Sequence, residues 1–453
     1  MLRLSDDQPT LWESVLPPEL FQMSEELAEV DQLLDDDRFF TPFKEKYLTR
    51  MGRPTVPVAT YLRMMYLKRR YELGYETLVK EVKDSLTWRR FCRLSLERKV
   101  PDSTTLIKLS QKYDEDTLRE LNEALVLKLK EKKVIRGRKL RIDTTVIEAD
   151  IHYPTDTGLL ADGAKVITRT VVKIKKLVAG VGKGFVNHTR KVKKTYLAIN
   201  KVLKNRVKRT NPELVKAKKN LVEVVDNVMA TAKKVQCELN TMENKAPHIR
   251  GLEKQLDEWL EATGKVIDQT RKVLNGRVHL KDRLVSLFDL GARPIKKGKL
   301  HAATEFGRKL LIGDTDHGII TTYQIYEGNP SDTVLLKSGV KGHRRLFRKR
   351  LKALATDRGF YSKANEDWLE GSGLKQVSIP VRGKASKERC QKQKEPWFRR
   401  LQRFRAGSEG RISLLKRKFG LRRSLMRGSK GTSIWAGQGI FAHNLWRATR
   451  ISK

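Results

Sequence analysis

The feature that most constrains this chain is a β-branched run, Lys139-Leu-Arg-Ile-Asp-Thr-Thr-Val-Ile-Glu-Ala149, with a carboxylate, Asp143, in its middle. Val, Ile and Thr at this density read as a strand. A buried strand tolerates a carboxylate only when the charge is paired or binds a metal. Pro154-Thr-Asp-Thr-Gly158 reads as a turn that closes the strand. The rest of the chain can then be searched for the groups that meet Asp143.

Net charge narrows the search. The chain carries +42 over 453 residues, with a pI near 10.2. Such an excess points to a polyanionic partner, most simply nucleic acid. A basic ribosomal or chromatin protein is the alternative. Those usually confine charge to short chains and tails, whereas here it runs through patterned segments. The length suggests two or three domains, and a hydrophobic content of 39% supports real cores. Cys92, Cys237 and Cys390 lie far apart and form no Cys-x-x-Cys, so neither a disulfide framework nor a zinc ribbon is expected. No apolar run reaches membrane-spanning length, and Met1 to Thr10 lacks the order of a signal peptide. A cytoplasmic, nucleoid-associated protein with no membrane partner is the expectation.

Residues 1–135 read as short helices. Gly52-Arg-Pro-Thr-Val-Pro57 breaks the chain. Helices are expected from Tyr61 to Arg69, Glu76 to Asp84 and Leu86 to Leu96, with Pro101-Asp-Ser103 capping another. Arg89, Arg90 and Arg93 on such helices suit a helix-turn-helix-like DNA reader, or a plain bundle with solvated arginines. Residues 136–161 hold the first strand. Residues 162–280 read as a helical insertion. Within it Leu214, Leu221, Val228, Val235 and Met242 recur every seven residues, as in a coiled-coil seam. Residues 281–453 return to strands near 302–312, 319–326, 351–356 and 376–380, alternating with helices. Asp316-His-Gly318 is the expected hairpin turn. Together these imply an α/β fold, a mixed sheet flanked by helices.

Asp357 ends one of those strands, where α/β sheets commonly place catalytic groups. If its strand neighbours that of Asp143, the two carboxylates meet and repel. Mg²⁺ or Mn²⁺ ions would relieve that repulsion, and two such ions support phosphoryl displacement. Glu409 is the candidate third acid. Arg405, Glu409 and Lys416 fall within about 40° on a helix, although an ordinary salt-bridge stripe has the same spacing and Gly407 and Gly410 argue against continuous helix there. Among the rivals, Glu148, Asp150 and Asp156 follow Asp143 closely. Asp314 and Asp316 flank the hairpin, and Asp332 fits a helix N-cap. His152, His301, His317 and His443 show no zinc spacing, and no Gly-x-x-x-x-Gly-Lys-Ser/Thr loop is present.

Asp143-Thr-Thr-x-x-Glu-Ala-Asp-Ile-His-Tyr-Pro-Thr-Asp, Glu305-Phe-Gly, Gly328-Asn-Pro-Ser-Asp332, Thr356-Asp-Arg-Gly-Phe-Tyr361, an Arg405, Glu409, Lys416 series and Ala442-His-Asn-Leu445 occur in that order. In this order they resemble bacterial insertion-sequence transposases of the DDE class, and the stretch from Gly52 to Leu106 resembles their N-terminal helical domain. The resemblance implies an RNase H-like core with Asp143, Asp357 and Glu409 as catalytic metal ligands for two Mg²⁺ or Mn²⁺ ions. It implies phosphate contacts from Arg405 and Lys416. It also implies cleavage and joining of double-stranded DNA at terminal inverted repeats by a homodimer. Arg358, within the Asp-Arg-Gly-Phe motif, joins Arg89, Arg90 and Arg93 as a candidate DNA contact. The family usually has a tyrosine three residues before the arginine, where this chain has Gln402. A DNA-binding protein that keeps the fold without the chemistry, or a structure-selective nuclease, are the alternative readings.

Overall fold

The structure, a computed structural model, describes residues 2–5, 15–46, 54–204, 211–280, 282–296 and 304–451. Gly52, Arg53, His301 and the first residues of the strand expected near 302 lie outside the described residues. The chain forms two compact units, residues 1–150 with 307–453, and residues 151–306. Among the described residues no helix is long and apolar enough to cross a membrane.

The first unit begins with helices α1 (Glu25–Leu34), α2 (Thr41–Lys44), α3 (Val58–Arg70), α4 (Tyr75–Asp84), α5 (Leu86–Phe91), α6 (Ser103–Lys112) and α7 (Glu115–Glu131). α5 stops earlier than its sequence suggests. The Arg89 guanidinium donates to the carbonyls of Ser95, Leu96 and Arg98 at 2.5, 3.0 and 2.7 Å. The chain wraps around that cation, and Arg93 takes a left-handed φ of 54°.

β1 (Lys139–Ala149) follows. The second unit then intervenes, with helices α8 (Asp156–Leu177), α9 (Thr189–Lys204), α10 (Pro212–Asn240) and α11 (Pro247–Leu274) and strand β2 (Arg293–Lys296). Pro154 to Gly158 is a helix start rather than a turn. Thr155 Oγ1 accepts from Gly158 N at 3.1 Å and caps α8. The heptad row of α10 is buried at Leu214, Leu221, Val228 and Val235, whereas Met242 lies past the helix end. This row packs into a bundle core shared with Leu160, Ile167 and Val171 of α8 and Leu256 and Val266 of α11. Gly163 lets α8 and α11 approach closely, since a side chain there would collide with Thr263.

The first unit resumes within β3 (Thr304–Asp314), followed by β4 (Ile320–Tyr326), α12 (Asp332–Phe347), β5 (Ala353–Thr356), α13 (Lys363–Gly371), β6 (Gln376–Ser378), α14 (Lys387–Lys394), α15 (Pro396–Lys418), β7 (Arg423–Ser424) and α16 (Gly428–Thr449). Its sheet runs β4-β3-β1-β5-β6, and β7 pairs with the far end of β1. β1 is antiparallel to β3 and parallel to β5, so the sheet is mixed. Leu140 and Ile142 on one face of β1 pack with Leu336 and Val340 of α12. The alternate residues, Arg141 and Asp143, meet α15 on the other face.

Arg141 links these layers. It makes a two-pronged pair with Asp314 at 2.8 and 2.6 Å and donates to the Phe404 carbonyl of α15 at 2.7 Å. Asp314, read from sequence as a turn former, closes β3 and is fully buried. Gly407 gives the Arg141 guanidinium room, because a side chain there would collide with it. α15 therefore runs unbroken through Gly407 and Gly410, against the sequence expectation. Arg411 approaches Asp314 from the same helix at 3.7 Å and meets His443 Nε2 at 3.1 Å. His443 is fully buried, and burial beside Arg411 and Arg447 keeps it well below the usual imidazole value. Removing one partner of a buried pair leaves the other charge uncompensated. Asp314→Asn should thus cost about 3–5 kcal/mol in urea denaturation, and a loss under about 1 kcal/mol would contradict a structural role for this pair.

Candidate active site

The ladder between β1 and β5 ends at Ile142 paired with Thr356. One residue on, Asp143, in the middle of β1, and Asp357, just past the end of β5, come side by side. Such strands lie about 4.8 Å apart, and residues in register share a face. Asp357 is fixed by its own turn, since Oδ1 accepts from Gly359 N at 2.8 Å and caps the short helical turn Arg358–Phe360. Asp143 is 8% exposed, and its Oδ1 accepts from Thr144 N at 2.8 Å. Burial, aided by Asp357 and Asp332, raises Asp143 to about 6 against the pull of Arg405.

α15 covers this face. Arg405 Nη2 lies 3.3 Å from Asp143 Oδ2, and its Nη1 lies 3.1 Å from Glu409 Oε1. One guanidinium thus bridges the first and third candidate acids. The Glu409 side chain is 71% exposed and sits one turn along the helix. Gln402, where the family usually has tyrosine, turns toward the sheet. Its Nε2 donates to Ser378 O at 3.0 Å and to Ser378 Oγ at 2.9 Å, with Thr356 O at 3.3 Å. It holds the ends of β5 and β6 to α15.

A further carboxylate stands close by. Asp332 opens α12, and Ser331 rather than Asp332 occupies the cap position. Asp332 Oδ1 accepts from Thr144 Oγ1 at 3.1 Å and from Lys309 Nζ at 3.0 Å. Gly359 lies between Asp332 and Asp357, and a Cβ on it would sit 2.9 Å from an oxygen of each. Three other rivals are engaged elsewhere. Glu148 and Asp150 face Arg423 at 3.5 and 3.7 Å, and Asp156 pairs with Arg283 at 2.8 Å.

Residues 18–112 match the family model Transposase domain (DUF772), and residues 285–445 match the Transposase DDE domain. No curated protein and no solved structure matches the chain. The two matches lie on either side of the four helices of the second unit, in the order that the sequence motifs suggest. The chain belongs to the DDE transposases of insertion sequences. Its mixed sheet with flanking helices accords with the RNase H-like fold that a DDE domain implies.

Transposases of this family generally use divalent metal ions. The donor chemistry at Asp143 and Asp357 fits such an ion, because both offer hard carboxylate oxygens and Asp357 disfavours the charge on Asp143. Among the described residues no three acidic, histidine or cysteine groups converge on one ion position. Arg405 holds Glu409 through Oε1 in this arrangement. Of the candidate DNA contacts, Arg358 and Arg90 are exposed. Arg89 is committed to its three carbonyls, and Arg93 pairs with Asp31 and Asp35 at 3.6 and 3.2 Å.

The raised pKa of Asp143 makes a signed stability prediction for the metal-free transposase. The folded state keeps this proton up to about pH 6, whereas the ordinary carboxylate value is 3.8. Relative stability from this group is full below about 3.8 and is lost as pH rises through about 6. Asp143→Asn removes the penalty. It should stabilise the metal-free protein at pH 7 by up to about 3 kcal/mol and by much less at pH 4. Denaturation of both proteins across that range tests this, and an equal or larger gain at pH 4 would contradict it.

Proposed function

We propose that this transposase binds the terminal inverted repeats of an insertion sequence and catalyses metal-dependent cleavage and transfer of DNA strands. The observation that carries this reading is the register of β1 and β5, which sets Asp143 beside Asp357 under the helix bearing Arg405 and Glu409. Asp143, Asp357 and Glu409 are the proposed catalytic acids and would hold two Mg²⁺ or Mn²⁺ ions. Bound there, such ions would lower the cost of forming the attacking oxyanion and of releasing the leaving one.

The chain's own groups supply the rest. Without metal, Arg405 partly neutralises Asp143 and restrains Glu409. In the working complex its guanidinium transfers to a DNA phosphate, for which its planar fork is well matched. That exchange frees Glu409 to turn toward the two aspartates. Arg358, adjacent to Asp357 and exposed, and Lys416, farther along α15, would contact neighbouring phosphates. Arg90 is the arginine of α5 best placed for DNA, since the guanidinium of Arg89 is spent on the fold. Residues 1–135 are the proposed end-recognition region, and the lysine-rich helices within 162–280 the proposed hold on flanking DNA. Two element ends must meet, so a homodimer on DNA is the proposed active form, working at the cytoplasmic nucleoid.

The decisive measurement is Mg²⁺-dependent cleavage and strand transfer on the element's ends. Asp143→Asn and Asp357→Asn should each lower both steps by at least about a thousandfold, the scale of losing a major electrostatic contribution. Glu409→Gln should do the same. Wild-type cleavage by Glu409→Gln would remove Glu409 from the ligand set. Mg²⁺ should also raise the melting temperature of the wild type and not of Asp357→Asn, a readout independent of turnover.

A further inference from the structure

The first unit contains a second concave site, a cleft of about 1140 Å³. Its walls come from the end of α3 and start of α4, from Ile107 and Gln111, and from the segment between Lys416 and Trp435. It exceeds the roughly 300–1,000 Å³ of a small-molecule site. Exposed Arg417, Arg422 and Lys430 line its rim, and Glu72 is the acid among its lining residues.

Its floor holds an unusual charge arrangement. Lys68 and Arg69 are adjacent and only 5% and 3% exposed. Neither is paired with a carboxylate among the described residues. Arg69 lies 3.6 Å above the Trp435 ring and donates to Gln438 at 2.7 Å. Lys68 lies 4.4 Å from the Tyr75 ring centre and donates to Leu73 O at 3.0 Å. These neutral partners hold the cations in place without cancelling their charge. Burial, helped by the neighbouring Arg69, pushes Lys68 down to about 7, and burial pushes Arg69 down to about 10 against the opposing pull of Tyr75 and Tyr61. Two buried like charges without a counter-ion are costly, and an anion entering the cleft would relieve that cost.

One helix serves both the cleft and the acidic site. α15 carries Arg405 beside Asp143 and, eleven residues on, Lys416 in the cleft wall. Eleven helical residues span about 16 Å, close to five base-pair steps of DNA at about 3.4 Å each.

We propose that this cleft is a second phosphodiester-binding site, in which the backbone of a DNA strand leaving the carboxylates supplies the counter-charge that Lys68 and Arg69 lack. This rests on the reading of the chain as a transposase acting on DNA. The basic rim would guide the backbone in, and the two floor cations would hold one phosphate out of bulk water.

The test uses the full-length protein and two fluorescein-labelled probes, a mixed-sequence duplex and one of its strands alone. Binding is followed by anisotropy over a range of salt. The variants are Arg422→Gln with Lys430→Gln on the exposed rim, and Lys68→Met on the floor. Each lost phosphate contact should lower the slope of log affinity against log salt by about one unit. The rim pair should then lose about two and Lys68→Met about one. Lys68→Met should also leave the DNA-free protein melting no lower than wild type, which a purely structural lysine would not do. An effect on the single strand alone assigns the cleft to an unpaired strand, and an effect on the duplex assigns it to double-stranded DNA. Unchanged slopes in both variants, with normal wild-type binding, overturn the cleft proposal and leave the transposase reading intact. Failure of the wild type to bind either probe overturns both.

Discussion

The Arg141–Asp314 pair is the contact on which the geometry of the acidic site depends. It joins β1 to the end of β3, and the same guanidinium reaches the Phe404 carbonyl of α15. The next residue of that helix is Arg405, which meets Asp143 two positions along β1. Seating one turn of α15 on Arg141 therefore sets where Arg405 and Glu409 fall relative to the strand carboxylate. Gly407 is the local condition for that seating, because any side chain would displace the guanidinium. A glycine in mid-helix costs about 1 kcal/mol relative to alanine, a small cost beside that of a buried arginine left without its partners.

Charge in this unit is arranged as two opposite deficits. Around Asp143, Asp357 and Asp332 negative charge is in excess, and Arg405 and Lys309 offset only part of it. In the cleft beside Trp435 positive charge is in excess, with Lys68 and Arg69 buried among neutral groups. α15 runs from one region to the other. A DNA backbone with metal ions at its reacting phosphate has the complementary pattern, with cations at one point and anions along the rest. The free protein carries the electrostatic cost of that pattern, and the cost is recovered when the polyanion binds.

The sequence made the strands and the Asp143–Asp357 meeting legible for a simple reason. β-branched density identifies strands locally, and a carboxylate at a strand end stands out against them. The heptad row of α10 was equally readable, since its period follows from one helix alone. What stayed hidden depends on long-range partners. Asp314 next to a hairpin has the look of a turn former, and only Arg141, far back in sequence, shows it to be a core residue. Gly407 and Gly410 disfavour helix by propensity, and the packing of Arg141 overrides that preference. Pro154 to Gly158 carries turn residues that serve equally as a helix cap, and local pattern cannot separate the two uses.

The same distinction sorts the arginines. Arg89 and Arg90 are neighbours with identical side chains, yet one closes a loop on three carbonyls and the other faces solvent. Arg69 and Arg70 differ in the same way. Arg70 pairs with Glu26 at 2.7 Å, whereas Arg69 is buried against Trp435 with no acid in reach among the described residues. Net charge alone marks the chain as a polyanion binder but treats all of these cations alike. Among the described residues Arg358, Arg90, Arg417, Arg422 and Lys430 at the surface, and Lys68 with Arg69 beneath it, have no carboxylate partner. At such positions, and most of all at the two buried ones, a phosphate backbone would supply a counter-charge that the protein itself does not.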